Sequence, residues 1–593
     1  MKNVYRYIIL LLVSTFSVIT PTANAKPDVK MDVCHIPPGT PSNFRTITIS
    51  KNATKAHLAH GDAVGDCRDA FPDEVELQIL AINDFHGNIA TSSGSFGGTG
   101  RADFLAANIQ AAAAGANNSI FVSAGDLIGA SPLISALFHD EPTIEAMNLL
   151  GLEINAVGNH EFDEGPDELL RMQFGGSHPL DGDLDGDPFS GADFEFLAAN
   201  VFVDATGNTL FPSYAIRNYQ GIKVAFIGMT LKGTPTIVTP NGVAGLTFND
   251  EVDTANALVP LFQQDNIEAI VVLLHEGGRS DGGPNDCGSG LTGPVADIVP
   301  RLDDAIDLVI TGHTNDEFVC EIDGKWVTMA DNRGRLFTDI QVTLDRQTKD
   351  MTVVSINNRA NLQDGVVPDP TVTALIDKYD VLSASLANTV IGTITSDITR
   401  ALNEAGESAL GDIIADSQLE ATAAIGFGEA DVAFMNPGGI RNSFEFLSSG
   451  PEFDGEVTFG EAFTVQPFGN SLVTMTLTGA QIDTLLEQQW VDQPSPRILQ
   501  VSNGFTYQWS ESAVDGDRVD PASIIINNVV LDPLASYRVT VNNFLADGGD
   551  NFPVLTEGTS RLGGEVDLDA LIRYFELYSP VAPGPQDRII KVP

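Results

Sequence analysis

The sequence predicts an α/β protein with two large domains. Two observations carry that expectation. Short apolar runs alternate with segments of helical composition from about residue 75 onward. The chain has 593 residues, 43% of them hydrophobic, which is more than one core holds.

The elements follow in chain order. Lys2 and Arg6 precede the apolar run Ile8–Val13, and Ala23-Asn24-Ala25 supplies a small-x-small cleavage pattern. Residues 1–25 therefore read as a secretory signal peptide. The run is too short for a membrane span. The expected location is secreted, periplasmic or extracellular, with no stable membrane insertion. Residues 26–72 form a small module bracketed by Cys34 and Cys67. His35, His57, His60 and these cysteines could make a metal site; the favoured reading is a disulfide-closed minidomain with surface histidines. An exported chain with four cysteines favours disulfides, and local pairing gives Cys34–Cys67 and Cys287–Cys320.

Strands are expected over Leu77–Ile82, Ile120–Ser123, Ile154–Val157, Lys223–Gly228, Ala269–Leu274 and Asp307–Thr311. Helices are expected over Ala102–Ala114, Leu133–Leu150 and Asp253–Asp265. A β-rich stretch, Trp326–Val354, closes this first domain, set at 75–365. After Pro368-Asp369-Pro370, helical periodicity over Thr371–Ala387 predicts a linker spanning 366–391. A second α/β domain runs from 392 to 593, with helices over Leu410–Ala424 and Gly479–Gln489 and strands over Ser471–Leu477 and Ser536–Asn542. Asp181, Asp183, Asp185 and Asp187 resemble the start of a calcium loop. Ala192 stands where such a loop needs its last glutamate, so the reading is divided between calcium and a solvated acidic insertion.

The charge excludes some partners. Lys and Arg total 31 against 80 Asp and Glu, a net charge of −49. Such a surface repels nucleic acid polymers and anionic membranes. An anionic substrate would need a local positive site, such as a metal pair or placed arginines.

Each apolar run of the first domain ends in a polar motif. The motifs are Asn83-Asp84-Phe85-His86-Gly87-Asn88, Gly125-Asp126, Gly158-Asn159-His160-Glu161-Phe162-Asp163, His275-Glu276 and Gly312-His313-Thr314-Asn315. In α/β sheets ligands bind at this strand edge. The donor set, aspartate, asparagine and histidine without thiolate, suits paired zinc, manganese or cobalt ions.

These residues resemble the calcineurin-like metallophosphoesterases, and most closely their secreted 5′-nucleotidase branch, over about 75–590. The resemblance implies a four-layer α/β/β/α first domain and a C-terminal nucleotide-binding domain. It implies that Asp84 and His86 bind one metal, Asp126 bridges, and Asn159, His275 and His313 bind the second. Asn315 would lie near the first. His160 would be the catalytic histidine outside the ligand set and Asp163 its carboxylate partner. In the second domain, Asn436-Pro437-Gly438-Gly439-Ile440-Arg441 matches the family's substrate motif, with Arg441 on phosphate and Asn436 on the base. Phe468 and Phe544 would sandwich the base and Asp550 would hold the ribose. Gly406 stands where some relatives carry arginine, and Arg400 is the expected substitute. The implied reaction is hydrolysis of nucleoside 5′-monophosphates. Alternatives are 2′,3′-cyclic nucleotides, nucleoside di- and triphosphates or UDP-sugars at the same site, sulfur-linked substrates, or a non-catalytic binding protein. A substrate spanning both domains would make domain closure the gate for turnover.

Overall fold

The computed structural model of the protein describes residues 29–37, 44–70, 72–238, 242–448, 450–493 and 495–593. The expected signal peptide, 1–25, lies outside them. The chain divides into two compact units, Met1–Asp73 and Glu74–Pro593.

In the small unit, strand Lys30–His35 pairs antiparallel with Arg45–Ser50 on one side and Ala63–Val64 on the other. Helix Thr54–Leu58 connects the outer strands. Cys34 and Cys67 form a disulfide.

The large unit opens with two six-stranded sheets. In the first, Glu74–Ile82, Ser119–Ser123, Ile154–Ala156 and Glu195–Leu197 run parallel, and Leu336–Asp345 and Met351–Ala360 add antiparallel at one edge. In the second, Ile222–Thr230, Ala269–His275, Leu308–Thr311 and Lys325–Ala330 are parallel, flanked by antiparallel Tyr214–Tyr219 and Glu317–Ile322. Strand side chains alternate between faces. Leu77, Ile79, Ile120 and Val122 therefore meet Val224, Phe226, Val271 and Leu273 between the sheets. The opposite faces, with Leu80, Ile82 and Phe121 on one and Ile227, Val272 and Leu274 on the other, are covered by helices. The expected four layers, α/β/β/α, are those observed. Cys287–Cys320 ties the loop after Ala269–His275 to the edge strand.

The expected helix Leu133–Leu150 is broken into Leu133–Ala136 and Glu141–Leu150. His139 and Asp140 between them take left-handed backbone, φ 51 and 60. The Asp140 carboxylate accepts the Gly129 amide at 2.9 Å, a tertiary bond that local periodicity does not report. Helix Pro370–Ala387 is capped by Asp369 and lays Val372, Ile376 and Tyr379 on the first domain's helical layer.

Beyond it, strands Gln500–Val501, Val432–Met435, Ser536–Asn542, Ser471–Thr478 and Thr559–Val566 form a five-stranded sheet in that order. Helices Ala409–Thr422 and Asp567–Tyr578 contribute Leu410, Ile413, Ile414, Leu571 and Phe575 to a core on one side. A four-stranded sheet containing Phe505–Ser510 and Ile589–Val592 shares the other core.

Candidate active site

The C-terminal edges of both first-domain sheets converge. Asp84 follows Glu74–Ile82, Asp126 follows Ser119–Ser123, His275 ends Ala269–His275, and His313 follows Leu308–Thr311. Asp84, His86, Asp126, His313 and Asn315 all have positive φ, between 47 and 74. The chain turns back at once after each strand, and the side chains face one another. Gly125 and Gly158 let the loops approach. A side chain at Gly125 would lie 2.7 Å from His275 Nδ1, and one at Gly158 would overlap the Asp126 carboxylate.

Asp84 is fully buried. Its carboxylate accepts the His313 amide at 2.9 and 3.0 Å and the Asn83 side-chain amide at 2.6 Å. His86 Nδ1 faces the Gly129 carbonyl at 3.0 Å, and His275 Nδ1 the Ala124 carbonyl at 2.8 Å. Both rings therefore present Nε2 inward, the arrangement that orients metal-binding imidazoles. Asp126 Oδ2 lies 3.8 Å from His86 Nε2 and 3.0 Å from His275 Nε2. One carboxylate oxygen thus faces two histidine sets. Ligand atoms of Asp126, His275 and His313 fall within 4.8 Å of one another, as do those of His86, Asp126 and His160. Asn159 Oδ1 is buried without a hydrogen-bond partner, and His275 Nε2 has only the Asp126 carboxylate beside it. An unpartnered buried acceptor at a cluster of carboxylates and imidazoles fits a cation.

The electrostatics agree. Burial pushes the Asp84 carboxyl up to about 7, Asp126 adding to the effect. Against its own burial, Asp126 is held below the usual carboxylate range by His275 and His160. Burial lowers His86 to about 4 and His313 to about 3, leaving both neutral as ligands must be, whereas, against its burial, Asp126 raises His275 to about 9, holding a proton that a bound cation would displace. His160 Nδ1 pairs with Asp163 Oδ2 at 2.7 Å, and its amide donates to Asp126 Oδ1 at 3.0 Å. Despite burial, Asp163 and Asp126 raise this imidazole to about 10. Asn315 is exposed; its amide accepts from Asn332 at 2.8 Å and donates to the His313 carbonyl at 3.1 Å.

Two residues of these motifs escaped sequence reasoning. Glu161 is buried and accepts the amides of Asp126, Leu127 and Gly158 at 3.0, 3.0 and 2.7 Å, clamping the Asp126 loop to the Asn159 loop. Asn83 bonds both Asp84 and the Ala330–Asp331 backbone. Their signal was a polar residue beside a ligand at a strand end, where a carboxylate or amide satisfies turn backbone.

The second domain borders this edge. A side chain at Gly469 would meet Ala130 Cα at 2.7 Å, so the Phe468 loop rests on the loop beside His160. Phe468 and Phe544 are 38% and 47% exposed, unusual for phenylalanine. Arg441 lies over the Phe468 ring, 5.6 Å from its centre. Asn436 donates to Asp550 Oδ2 at 2.8 Å and accepts from Asn542 at 3.0 Å. Arg497, which no spacing marks, pairs with the other Asp550 oxygen. Arg400 donates to the Ile440 carbonyl at 2.6 Å, one residue from Arg441. Gly406 has φ 89, and a side chain there would run into Ile498 at 2.5 Å, which accounts for the missing arginine.

The acidic insertion is not gathered into one cluster among the described residues. Asp185 takes Lys378 at 2.6 Å and Tyr379 at 3.0 Å, while Asp181 takes His139 and His178 at 3.1 and 3.2 Å.

Residues 77–316 match the calcineurin-like phosphoesterase family model, and 390–557 match the 5′-nucleotidase C-terminal domain. The cell wall protein Lmo0130 of Listeria monocytogenes is 32% identical over 86% of this chain and 68% of its own length. The chain belongs to the calcineurin-like phosphoesterases of the 5′-nucleotidase family. It is a hydrolase of phosphoric esters, and the family implies divalent metal ions. Endonuclease YhcR of Bacillus subtilis is 32% identical over 93% of this family member, which spans 44% of the Bacillus protein. The 5′-nucleotidase precursor of Thermus thermophilus is 27% identical, with a TM-score of 0.52 over 87% of this chain and 99% of that one. The NAD nucleotidase of Haemophilus influenzae, 20% identical, shares the fold at a TM-score of 0.62.

Proposed function

We propose that the protein hydrolyses nucleoside 5′-monophosphates to nucleoside and phosphate, outside the cytoplasm, with two divalent cations. The observation that supports this is Asp126 Oδ2 facing the Nε2 atoms of both His86 and His275, the position a ligand common to two cations would take. Asp84 and His86 would complete one cation site, and Asn159, His275 and His313 the other. When bound, such a pair supplies Lewis acidity and an activated water. His160, aligned by Asp163, holds a proton that stabilises phosphoryl charge or passes to the leaving oxygen. Arg441 and Arg400 offer guanidinium groups to phosphate. Phe468 and Phe544 offer exposed faces to a base, and Asn436 and Asp550 offer polar atoms to base and ribose. The export expected from residues 1–25 agrees with the name of the Listeria cell wall relative. Among the described residues no helix is long and apolar enough to cross a membrane.

A wider substrate range is the second reading. A trifunctional nucleotide phosphoesterase of Bacillus subtilis is 27% identical over 80% of this chain and 33% of its own length. Separation and quantification of all hydrolysis products from AMP, UMP, ADP, ATP, 2′,3′-cyclic AMP and UDP-glucose decide between the two, because opening a cyclic diester or a sugar nucleotide yields a monoester and no free phosphate. The enzyme would be stripped by chelator and then given manganese, zinc or cobalt. Monophosphates should lead. A cyclic or sugar nucleotide in the lead would favour the wider reading, and no turnover with any metal would overturn both.

A further inference from the structure

The Met1–Asp73 unit has very little core. Among its described residues only Val33, Cys34, Asp62 and Cys67 are buried. Modules this small need crosslinks, metals or partners to hold together. Of the four buried residues, one is a carboxylate, and an isolated buried charge is costly unless it is neutralised.

The chain surrounds Asp62 with imidazoles. Cys34 pairs with Ala63 in the antiparallel ladder, so the next pair outward sets His35 opposite Asp62. Helix Thr54–Leu58 carries His57, and the following turn closes when the His57 carbonyl accepts the amides of His60 and Asp62, both at 3.2 Å. That turn brings both histidines over the same carboxylate. His35 Nδ1 lies 2.9 Å and His57 Nδ1 2.6 Å from Asp62 Oδ2, and His60 Nδ1 lies 3.5 Å from Oδ1. The Ile36 amide donates to Oδ1 at 2.9 Å and fixes the carboxylate plane.

His35 and His57 turn Nδ1 towards the same oxygen, and the ligand atoms of His35, His57 and Asp62 all lie within 4.8 Å of one another; His60 Nδ1 faces the other oxygen from the rim of that group. The three rings do not stack. His35 stands edge-on to His57 and His60 with centroids 5.9 Å apart, and the His57 and His60 rings are tilted at 5.3 Å. Rings that fan around a shared centre have the disposition of ligands. The side chains remain 22–42% exposed, which leaves a path for an ion. The two cysteines are joined to each other, so the donor set is three nitrogens and one oxygen.

We infer that His35, His57, His60 and Asp62 form a divalent-cation site, separate from the phosphoesterase centre, that staples the small module. Three imidazoles and one carboxylate select zinc or cobalt over calcium or magnesium, which take all-oxygen sets. The cation offsets the buried charge and ties strand Lys30–His35 to the His57–Asp62 turn. His35 and Cys34 are strand neighbours whose side chains leave opposite faces, so this tie and the Cys34–Cys67 bond hold the strand from its two sides.

The test is a metal count on the full mature chain. Wild type and the His57→Gln and His60→Gln variants are stripped by chelator, saturated with zinc, gel-filtered and analysed for bound metal. Both substitutions are at partly exposed side chains, and a free-thiol assay checks that the disulfides survive. Each variant should carry one equivalent less zinc than wild type at unchanged ester-hydrolysis rate. With cobalt, the wild-type-minus-variant difference spectrum should show the intense visible bands of a tetrahedral ion. Equal metal content in wild type and both variants would overturn the inference. So would loss of the equivalent together with loss of turnover, because that would place the ion at the phosphoesterase centre.

Discussion

Asp126 has no spare oxygen. Oδ1 accepts the His160 amide, and Oδ2 faces His86 and His275. Asp126→Asn should therefore empty both cation positions together and lower kcat by about 10³-fold, several kcal/mol of lost charge stabilisation. Metal analysis would check it, and loss of only one equivalent would contradict a shared ligand. Asp163→Asn tests a different role. Asp163 touches His160 and not the cluster centre, so metal content should hold while kcat falls roughly 10²-fold. Gly406→Arg tests the departure in the second domain. Left-handed backbone and the Ile498 contact should destabilise it by about 1–3 kcal/mol, read as a lowered denaturation midpoint. At this scale most of the site was legible because its ligands stand at strand ends beside glycines. Glu161 and Asn83 were not, because Glu161 holds backbone and Asn83 joins the Asp84 carboxylate to backbone 248 residues away, and neither geometry has a sequence spelling. Arg497 was hidden for a related reason: its partner Asp550 is distant in sequence.

The strands and helices assigned from the hydrophobic pattern lie within a few residues of those observed, while the half-buried helices Pro166–Phe174 and Asp567–Tyr578 were not assigned. Among the assigned helices Leu133–Leu150 is broken, where the bond between Asp140 and Gly129 outweighs helical propensity. The aromatic elements carry a prediction of their own. Phe468→Ala and Phe544→Ala should each raise KM for AMP about 5- to 150-fold, since a stacked base is worth ~1–3 kcal/mol. kcat should change little, and hydrolysis of a phosphate ester without a base should not change; an unaltered KM would remove these rings from the substrate pocket. The strand Leu308–Thr311 is entered through Asp307, which accepts the Ile270 amide at 2.9 Å. Burial, with Asp350 adding, pushes its carboxyl up to about 8. In the unfolded chain it titrates near ~4. Between those values the folded state keeps a proton that the unfolded state has released, so this group lowers stability as pH rises from about 4 to 8. Asp307→Asn keeps an acceptor for Ile270 and removes the titration. The variant's Tm should gain on wild type steadily between about pH 5 and about pH 8.5; parallel Tm curves would refute the assignment.

The whole molecule carries a net charge of −49, so an anionic substrate approaches against a repulsive field. Raising ionic strength should shorten the reach of that field and increase kcat/KM for nucleotides. The gain should be smaller for a monoanionic phosphodiester, and a fall with salt for both would show that the local arginines dominate encounter. The packing of the Phe468 loop on Ala130 and of Gly563 on Val238 could not be read from sequence, because it joins loops hundreds of residues apart. Bonds between the strand-end loops, the Asp84 amide to the Gly125 carbonyl, the His86 amide to the Asp126 carbonyl and the His313 amide to the Asp84 carboxylate, accompany left-handed backbone at Asp84, His86, Asp126, His313 and Asn315, a conformation that costs an L residue about 1–2 kcal/mol. A chain selected only for thermal endurance would drift to glycine at those positions. Robustness and turnover therefore pull in opposite directions at the same five codons, and laboratory evolution for heat resistance without an activity screen should lose the enzyme there first.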